Sequence, residues 1–268
     1  MSEGSVAPGP RSREGLAWLA RVGAAPIEPL ALVMRWSQRA AYDHVARMAA
    51  AGWVRRVRLD FGDGSLLVIT RAGVRRVLEE HDVPEDVEAD DELRDVSPTM
   101  RAHVVASAWT AAWLDVYGCP WIGPRAVGRD AGWSGRVAYP DAAGTREVSH
   151  APDLGVITTD GKRLAVEVEL QRKSAARLRG ILAMYAARGA GGDLDGVMYV
   201  AGNARVRGAL HDVAAGRPLR GGEAERAAVI AEAPAGPLRV IALEDVIAQT
   251  RARGNELHRE RRAAEAAA

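Results

Sequence analysis

Three carboxylates and a lysine lie close enough along the chain to act together: Asp153, Glu167, Glu169 and Lys173. Leu154 to Thr158 and Leu164 to Leu170 are β-rich runs separated by the turn TDGK, which predicts a hairpin. Side chains alternate along a strand, so Ala165, Glu167 and Glu169 share one face, and Leu164, Val166, Val168 and Leu170 the other. Asp153 stands at the start of the partner strand, where hairpin pairing brings its carboxylate near Glu167. Carboxylates crowded on one patch repel, and a cation or a bound proton must relieve them. Hard oxygen donors suit Mg2+ or Mn2+. Lys173, six residues after Glu167, reaches the rim of the same patch. An ammonium there can orient water or stabilise developing charge on a phosphate. The alternative carries equal weight from spacing alone: a solvent-facing strand with two ordinary glutamates, followed by an ordinary helix start.

The choice of lysine adds some weight. Of the 36 basic residues only Lys162 and Lys173 are lysines, and the rest are arginines. Where a generic positive charge is enough, this chain uses Arg, so a retained Lys has more often a chemical reason.

A second group of residues suits phosphates and bases: Gln38, Arg39, Tyr42 and Arg47, then Arg55, Arg56 and Arg58. The elements that would position them are legible. SREGLAWLARV has apolar residues at helical spacing, IEPLALVMRW reads as a second helix after the Gly23–Pro26 break, and Ser37 caps a third, QRAAYDHVARMAAA. Ala41, Val45 and Met48 form the buried face of that third helix, and Gly52 ends it. VRRVRLD and SLLVIT, joined by FGDG, predict a β-hairpin, after which Thr70 caps RAGVRRVLEE. Three helices, a hairpin and a closing helix predict a winged helix-turn-helix. Its third helix would enter a major groove, and its Arg-rich wing would lie along phosphates. A protein-binding winged helix with a solvated Arg face is the alternative. Alternation along the wing strand means that Arg55, Arg56 and Arg58 are not all equally exposed.

Charge is segregated. Residues 1–78 carry a net +6, residues 79–99 a net −9 and the remainder +4, although the chain as a whole is +1. A basic front module is the electrostatic footprint of a phosphate binder. The acidic stretch EEHDVPEDVEADDELRD reads as a solvated linker, or as a segment that repels or mimics DNA. Farther on, 98–118 reads as a helix, 118–150 as loop with short strands, and 196–202 as a third β run. RVRGALHDVAAG reads as a helix, and 237–249 as a strand followed by a helix. Strand–helix–strand–helix order favours parallel pairing. The predicted fold class is α/β (α+β), divided into 1–80 winged helix, 81–98 linker, 99–250 α/β domain and 251–268 charged tail.

Pro152-Asp153, Glu167-Val168-Glu169 and Gln171-Arg172-Lys173 resemble the PD-(D/E)xK nuclease core. The whole arrangement resembles the plasmid replication-relaxation family, which joins a winged helix to a nuclease-like domain. RAAYDHVARMAAAGWVRRV with LVITRAGVRRV carry the likeness at the front, and HAPDLGVI, LAVEVELQRKSAARLRGILAMY and GVMYVAG at the back. Together they cover about half the chain. The resemblance implies that Asp153 and Glu167, with the main-chain carbonyl of Val168, hold Mg2+ or Mn2+ for phosphodiester hydrolysis. The position two after the acid, usually Lys, is Glu169, and Lys173 stands where a migrated lysine would. The leading helix, 98–117, has no Glu. Three function classes follow: a metal-dependent DNA nuclease serving plasmid or mobile-element replication, a non-catalytic DNA-binding regulator, and a protein-interaction adaptor. DNA and a homodimer are the expected partners.

The remaining residues are less informative. His150 is near Asp153, as an accessory ligand or as an exposed loop residue, the second being favoured. Trp133, in a Gly-rich loop, is the tryptophan most suited to stacking on a base. The single cysteine, Cys119, reads as a small core residue and fits a reducing cytoplasm. No apolar run approaches the roughly 18 residues of a membrane span, and no membrane partner is expected.

Overall fold

The structure, a computed structural model, describes residues 9–59, 64–80, 98–142, 144–215 and 238–267. The chain divides into two compact units, Met1–Gly118 with Ile247–Ala268, and Cys119–Val246. The class is mixed α/β.

The first unit runs α1 (Pro10–Val22), β1 (Ala24–Pro26), α2 (Ile27–Val33), α3 (Gln38–Ala50), β2 (Val54–Arg58), β3 (Ser65–Ile69), α4 (Arg71–Glu80) and α5 (Pro98–Val116). β1, β3 and β2 form an antiparallel sheet in that order. Ser37 accepts the Ala40 N–H at 3.2 Å and so caps α3. Ala41, Val45 and Met48 are its buried residues. Gly52 takes a φ of +72° just beyond the helix, a conformation that suits only glycine without strain. Thr70 accepts the Gly73 N–H at 3.1 Å at the head of α4. Ala24, Leu59, Leu66 and Val68 cluster on one face of the sheet, where Val104 and Val105 of α5 pack against them. That is why α5 belongs to this unit and not to the back domain in which the 99–250 boundary placed it. Residues 81–97 of the expected linker, and 61–63 of the FGDG turn, lie outside the described residues.

The second unit runs β4 (Trp121–Ile122), α6 (Pro124–Arg129), β5 (Gly135–Asp141), β6 (Gly144–His150), β7 (Leu154–Ile157), β8 (Arg163–Glu169), α7 (Ala175–Ala190), β9 (Gly196–Ala201), α8 (Ala204–Ala214) and β10 (Leu238–Ala242). Five strands form one sheet in the order β10-β9-β8-β7-β4. β7 and β8 are the expected antiparallel hairpin, with Leu154 opposite Val166. β8, β9 and β10 are parallel, as the alternation with α7 and α8 requires. Ala165, Val197, Tyr199 and Ala201 are on one face of the sheet and join a single core with Leu178, Ile181, Leu182 and Tyr185 of α7 and Val206 and Leu210 of α8. The segment 118–150, expected as loop with short strands, contains a seven-residue hairpin pair, β5–β6.

The charged tail from 251 on, which the sequence leaves open as a helical end or a disordered segment, is helical over its described residues. α9 (Leu243–Ala267) continues directly from β10. Thr250, Gly254 and Leu257 are buried, and their spacing of four and then three residues puts them on one stripe of the helix. A Cβ on Gly254 would stand 2.9 Å from Leu32 side-chain atoms, so glycine lets α9 approach α2 closely. Arg251 Nε and Nη2 donate to the two carboxylate oxygens of Glu28, at 2.7 and 3.0 Å.

Candidate functional site

The carboxylates meet on β8 and its hairpin partner, but not at a solvent-facing surface. Glu167 is 3% exposed and Glu169 7%. Their face of the sheet is the one that α7 covers, because Ala165, two residues before Glu167, packs into the α7 core. The exposed-strand alternative is thereby overturned.

Each carboxylate is answered by the protein. Asp153 sits across from Glu167: its N–H donates to the Val166 carbonyl at 3.0 Å. Its Oδ2 accepts the Val168 N–H at 2.6 Å. Val168 thus enters the site through its main chain, while its side chain is buried on the opposite face. Glu167 Oε1 accepts from the Tyr185 hydroxyl and from His150 Nε2, the latter at 2.6 Å. Lys173 Nζ pairs with Glu169 Oε2. The ammonium of Lys173 therefore reaches back to the end of β8. It also feels the charges of Glu167 and Asp153. Burial holds the Lys173 pKa below the ordinary lysine range, Arg177 pushes the same way, and Glu167 and Asp153 oppose both. Lys173 precedes the helix rather than lying on it: Ser174 caps α7 by accepting the Arg177 N–H at 3.2 Å.

His150 and two tyrosines complete the site. The sequence favours an exposed loop for His150, but it ends β6 and its side chain is 14% exposed. Its ring meets that of Tyr185 edge-on at 6.1 Å. The signal that could have found it is its place three residues before Asp153, at the end of a strand rather than in a loop. Tyr199 is paired in register with Glu167, so the two side chains share a face. Its hydroxyl is buried without a hydrogen-bond partner among the described residues. Burial first, and Glu167 next, push both tyrosine hydroxyls well above their usual pKa, so both stay protonated donors.

Asp153 and Glu167 offer the hard oxygens that suit Mg2+ or Mn2+. The unanswered Tyr199 hydroxyl on the same face also fits a bound water or oxygen ligand there. Against this, among the described residues no group of three or more His, Cys, Asp and Glu is arranged to hold a metal ion. The protein's own donors do part of a cation's work, through Lys173, His150, Tyr185 and the Val168 amide.

The second expected site lies on the first unit. Gln38, Arg39, Tyr42 and Arg47 are all exposed on α3. Arg47 Nη2 donates to His44 Nδ1 at 3.1 Å. On β2, Arg56 and Arg58 are exposed, whereas Arg55 is half-buried on the sheet face that carries Val68. Alternation thus separates the three β2 arginines into two and one. Trp133 is excluded as a stacking platform: it is 1% exposed, with the Arg163 guanidinium 4.4 Å above its ring. Cys119 is half-buried, not a core residue. Among the described residues no helix is long and apolar enough to cross a membrane.

Comparison of the chain with protein-family models, with curated proteins and with solved structures finds no match.

Proposed function

We propose that this chain is a DNA-binding protein whose first unit is a winged helix-turn-helix. The single observation that carries the reading is the exposed set on α3 and β2: Gln38, Arg39, Tyr42, Arg47, Arg56 and Arg58. Supporting it are the element order α1–β1–α2–α3–β2–β3 and the sheet order β1-β3-β2. In this reading α3 enters the major groove, and Arg56 and Arg58 contact phosphates. A homodimer on two half-sites belongs to the same proposal, as does the resemblance to the plasmid replication-relaxation family. The test is binding of duplex DNA by the full chain and by the triple variant Arg39→Ala/Arg56→Ala/Arg58→Ala. A loss of at least tenfold in affinity is expected. Equal affinity for both proteins would remove the reading.

A second reading, phosphodiester hydrolysis by the second unit, is favoured by the Lys173 ammonium in the field of Glu167 and Asp153. Mg2+ or Mn2+ held by Asp153 and Glu167, with the Val168 carbonyl, would supply an activated water and a polarised phosphate. Tyr185 and His150 fix the orientation of Glu167, and the Val168 amide fixes that of Asp153. Lys173 would neutralise charge gathering on the phosphate oxygens, with Glu169 holding its ammonium in place. Incubation of supercoiled, linear and single-stranded DNA with either metal checks this. The expected result is cleavage by the wild type that Glu167→Gln and Lys173→Ala both lose. Intact DNA in every lane, with binding preserved, would leave a non-catalytic DNA-binding regulator.

A further inference from the structure

At the head of α3 the first unit forms a cavity of about 250 Å3. Its walls include Arg11 of α1, Arg35 and Ser37 before α3, and His258, Arg261 and Arg262 of α9. Glu265 is the one acidic residue in the lining. We propose that this cavity is a phosphate-binding site, which takes its phosphate either from a DNA backbone or from a small phosphorylated molecule.

The charge balance points to an anion. Glu265 Oε1 accepts from Arg11 Nη2 at 3.1 Å and from Arg261 Nε at 2.9 Å, so two guanidiniums share one carboxylate. Arg35 and Arg262 have no acidic partner among the described residues. Four arginines against one glutamate leave a surplus of positive charge in a concave site, which concentrates anions. Guanidinium forks match phosphate oxygens two at a time.

The walls are held in shape. His258 Nδ1 donates to the Arg35 carbonyl at 2.9 Å, and Arg261 Nη1 to the Met34 carbonyl at 3.4 Å. These bonds fasten the loop before α3 to α9, although more than two hundred residues separate them in sequence. Arg35 itself has a φ of +54°, the left-handed region, which sets the direction from which its side chain leaves the chain. Ser37 and Ala40 at the head of α3 also line the cavity, and there the Ser37 hydroxyl accepts the Ala40 N–H. At about 250 Å3 the space is smaller than the roughly 300–1,000 Å3 of pockets for drug-sized ligands, so it suits a compact anion.

The DNA source rests on the winged-helix reading, and the small-molecule source does not. The experiment is calorimetric titration of the full chain with inorganic pyrophosphate, alongside binding of a short DNA duplex. The proteins are wild type, Arg35→Ala/Arg262→Ala, and Arg259→Ala as a control on an exposed α9 position outside the lining. The expected result is saturable pyrophosphate binding, weakened at least tenfold in the double variant and unchanged in the control. If the phosphate comes from DNA, pyrophosphate competes with the duplex, and the double variant also weakens duplex binding. If it comes from a small molecule, duplex affinity is the same in all three proteins. Pyrophosphate binding by a chain that does not bind DNA keeps the cavity and removes the DNA-binding reading of the first unit. No saturable pyrophosphate binding, with duplex affinity equal in wild type and double variant, overturns the proposal.

Discussion

Tyr199 has its hydroxyl in the interior with no hydrogen-bond partner among the described residues. An unanswered buried hydroxyl costs about 1–3 kcal/mol. Tyr199→Phe should therefore match the wild type in urea denaturation or exceed it, by up to ~1 kcal/mol. A clear loss of stability would show that the hydroxyl is bonded to a molecule in the site. His44 makes a second prediction. Its Nδ1 accepts from Arg47 and meets the Ser12 hydroxyl at 2.7 Å, while its ring stacks on Trp36 at 4.2 Å. Burial, then Arg47, hold its pKa below 6.5, and Asp43 opposes them. As pH falls through about 6.5 the unfolded chain takes up a proton that the folded one refuses. The His44 contribution to stability is thus present above that pH and lost on acidification toward the lowered folded value. Melting temperatures between about pH 7.5 and 5.5 should fall more steeply for the wild type than for His44→Gln. Parallel slopes would contradict this. At this scale the sequence showed which acids share a face and that Lys173 reaches them. It favoured an exposed loop for His150 and did not show Tyr199 in the site, because a side-chain contact across 17 residues joins the first to Glu167 and a parallel crossover brings the second beside it.

Elements with strong local signals were legible. α3 has a cap, a buried stripe and a terminating glycine, and β7–β8 has an alternating pattern with a turn. Loss of the cap in Ser37→Ala should cost about 1 kcal/mol in denaturant unfolding, and no change would mean that the 3.2 Å bond contributes nothing. β1 is not legible because three residues, Ala24–Pro26, carry no periodicity. Nor is the full extent of α9, because its buried stripe contains Thr250 and Gly254, which do not register as apolar. Both elements are held by contacts distant in sequence. Gly254→Val should be destabilising by about 1–3 kcal/mol through collision with Leu32. Leu32→Ala should make that substitution less damaging, since the two sites touch. Independent, additive losses would show that α9 does not pack on α2 there. Burial of Glu167 and Glu169 is hidden for a different reason: alternation assigns residues to a face, but only the docking of α7 decides which faces are covered.

For the whole molecule, the net charge of +1 says little, because charge is divided along the chain. The front 78 residues carry a net +6, the larger of the two positive regions, and the described part of that region presents Arg39, Arg47, Arg56 and Arg58 to solvent. DNA binding is therefore expected to be electrostatic and strongly dependent on salt. The two-unit division places any hydrolytic chemistry in Cys119–Val246 and the proposed DNA-reading surface in the other unit. Binding and cleavage should accordingly respond to different substitutions. The most direct test of the central claim is the affinity of the full chain for duplex DNA measured across roughly 50 to 200 mM salt. The account predicts a linear fall of log affinity with log salt, and a slope about two units shallower in Arg56→Ala/Arg58→Ala. Duplex binding that ignores salt, or a slope that these two arginines leave unchanged, would contradict it.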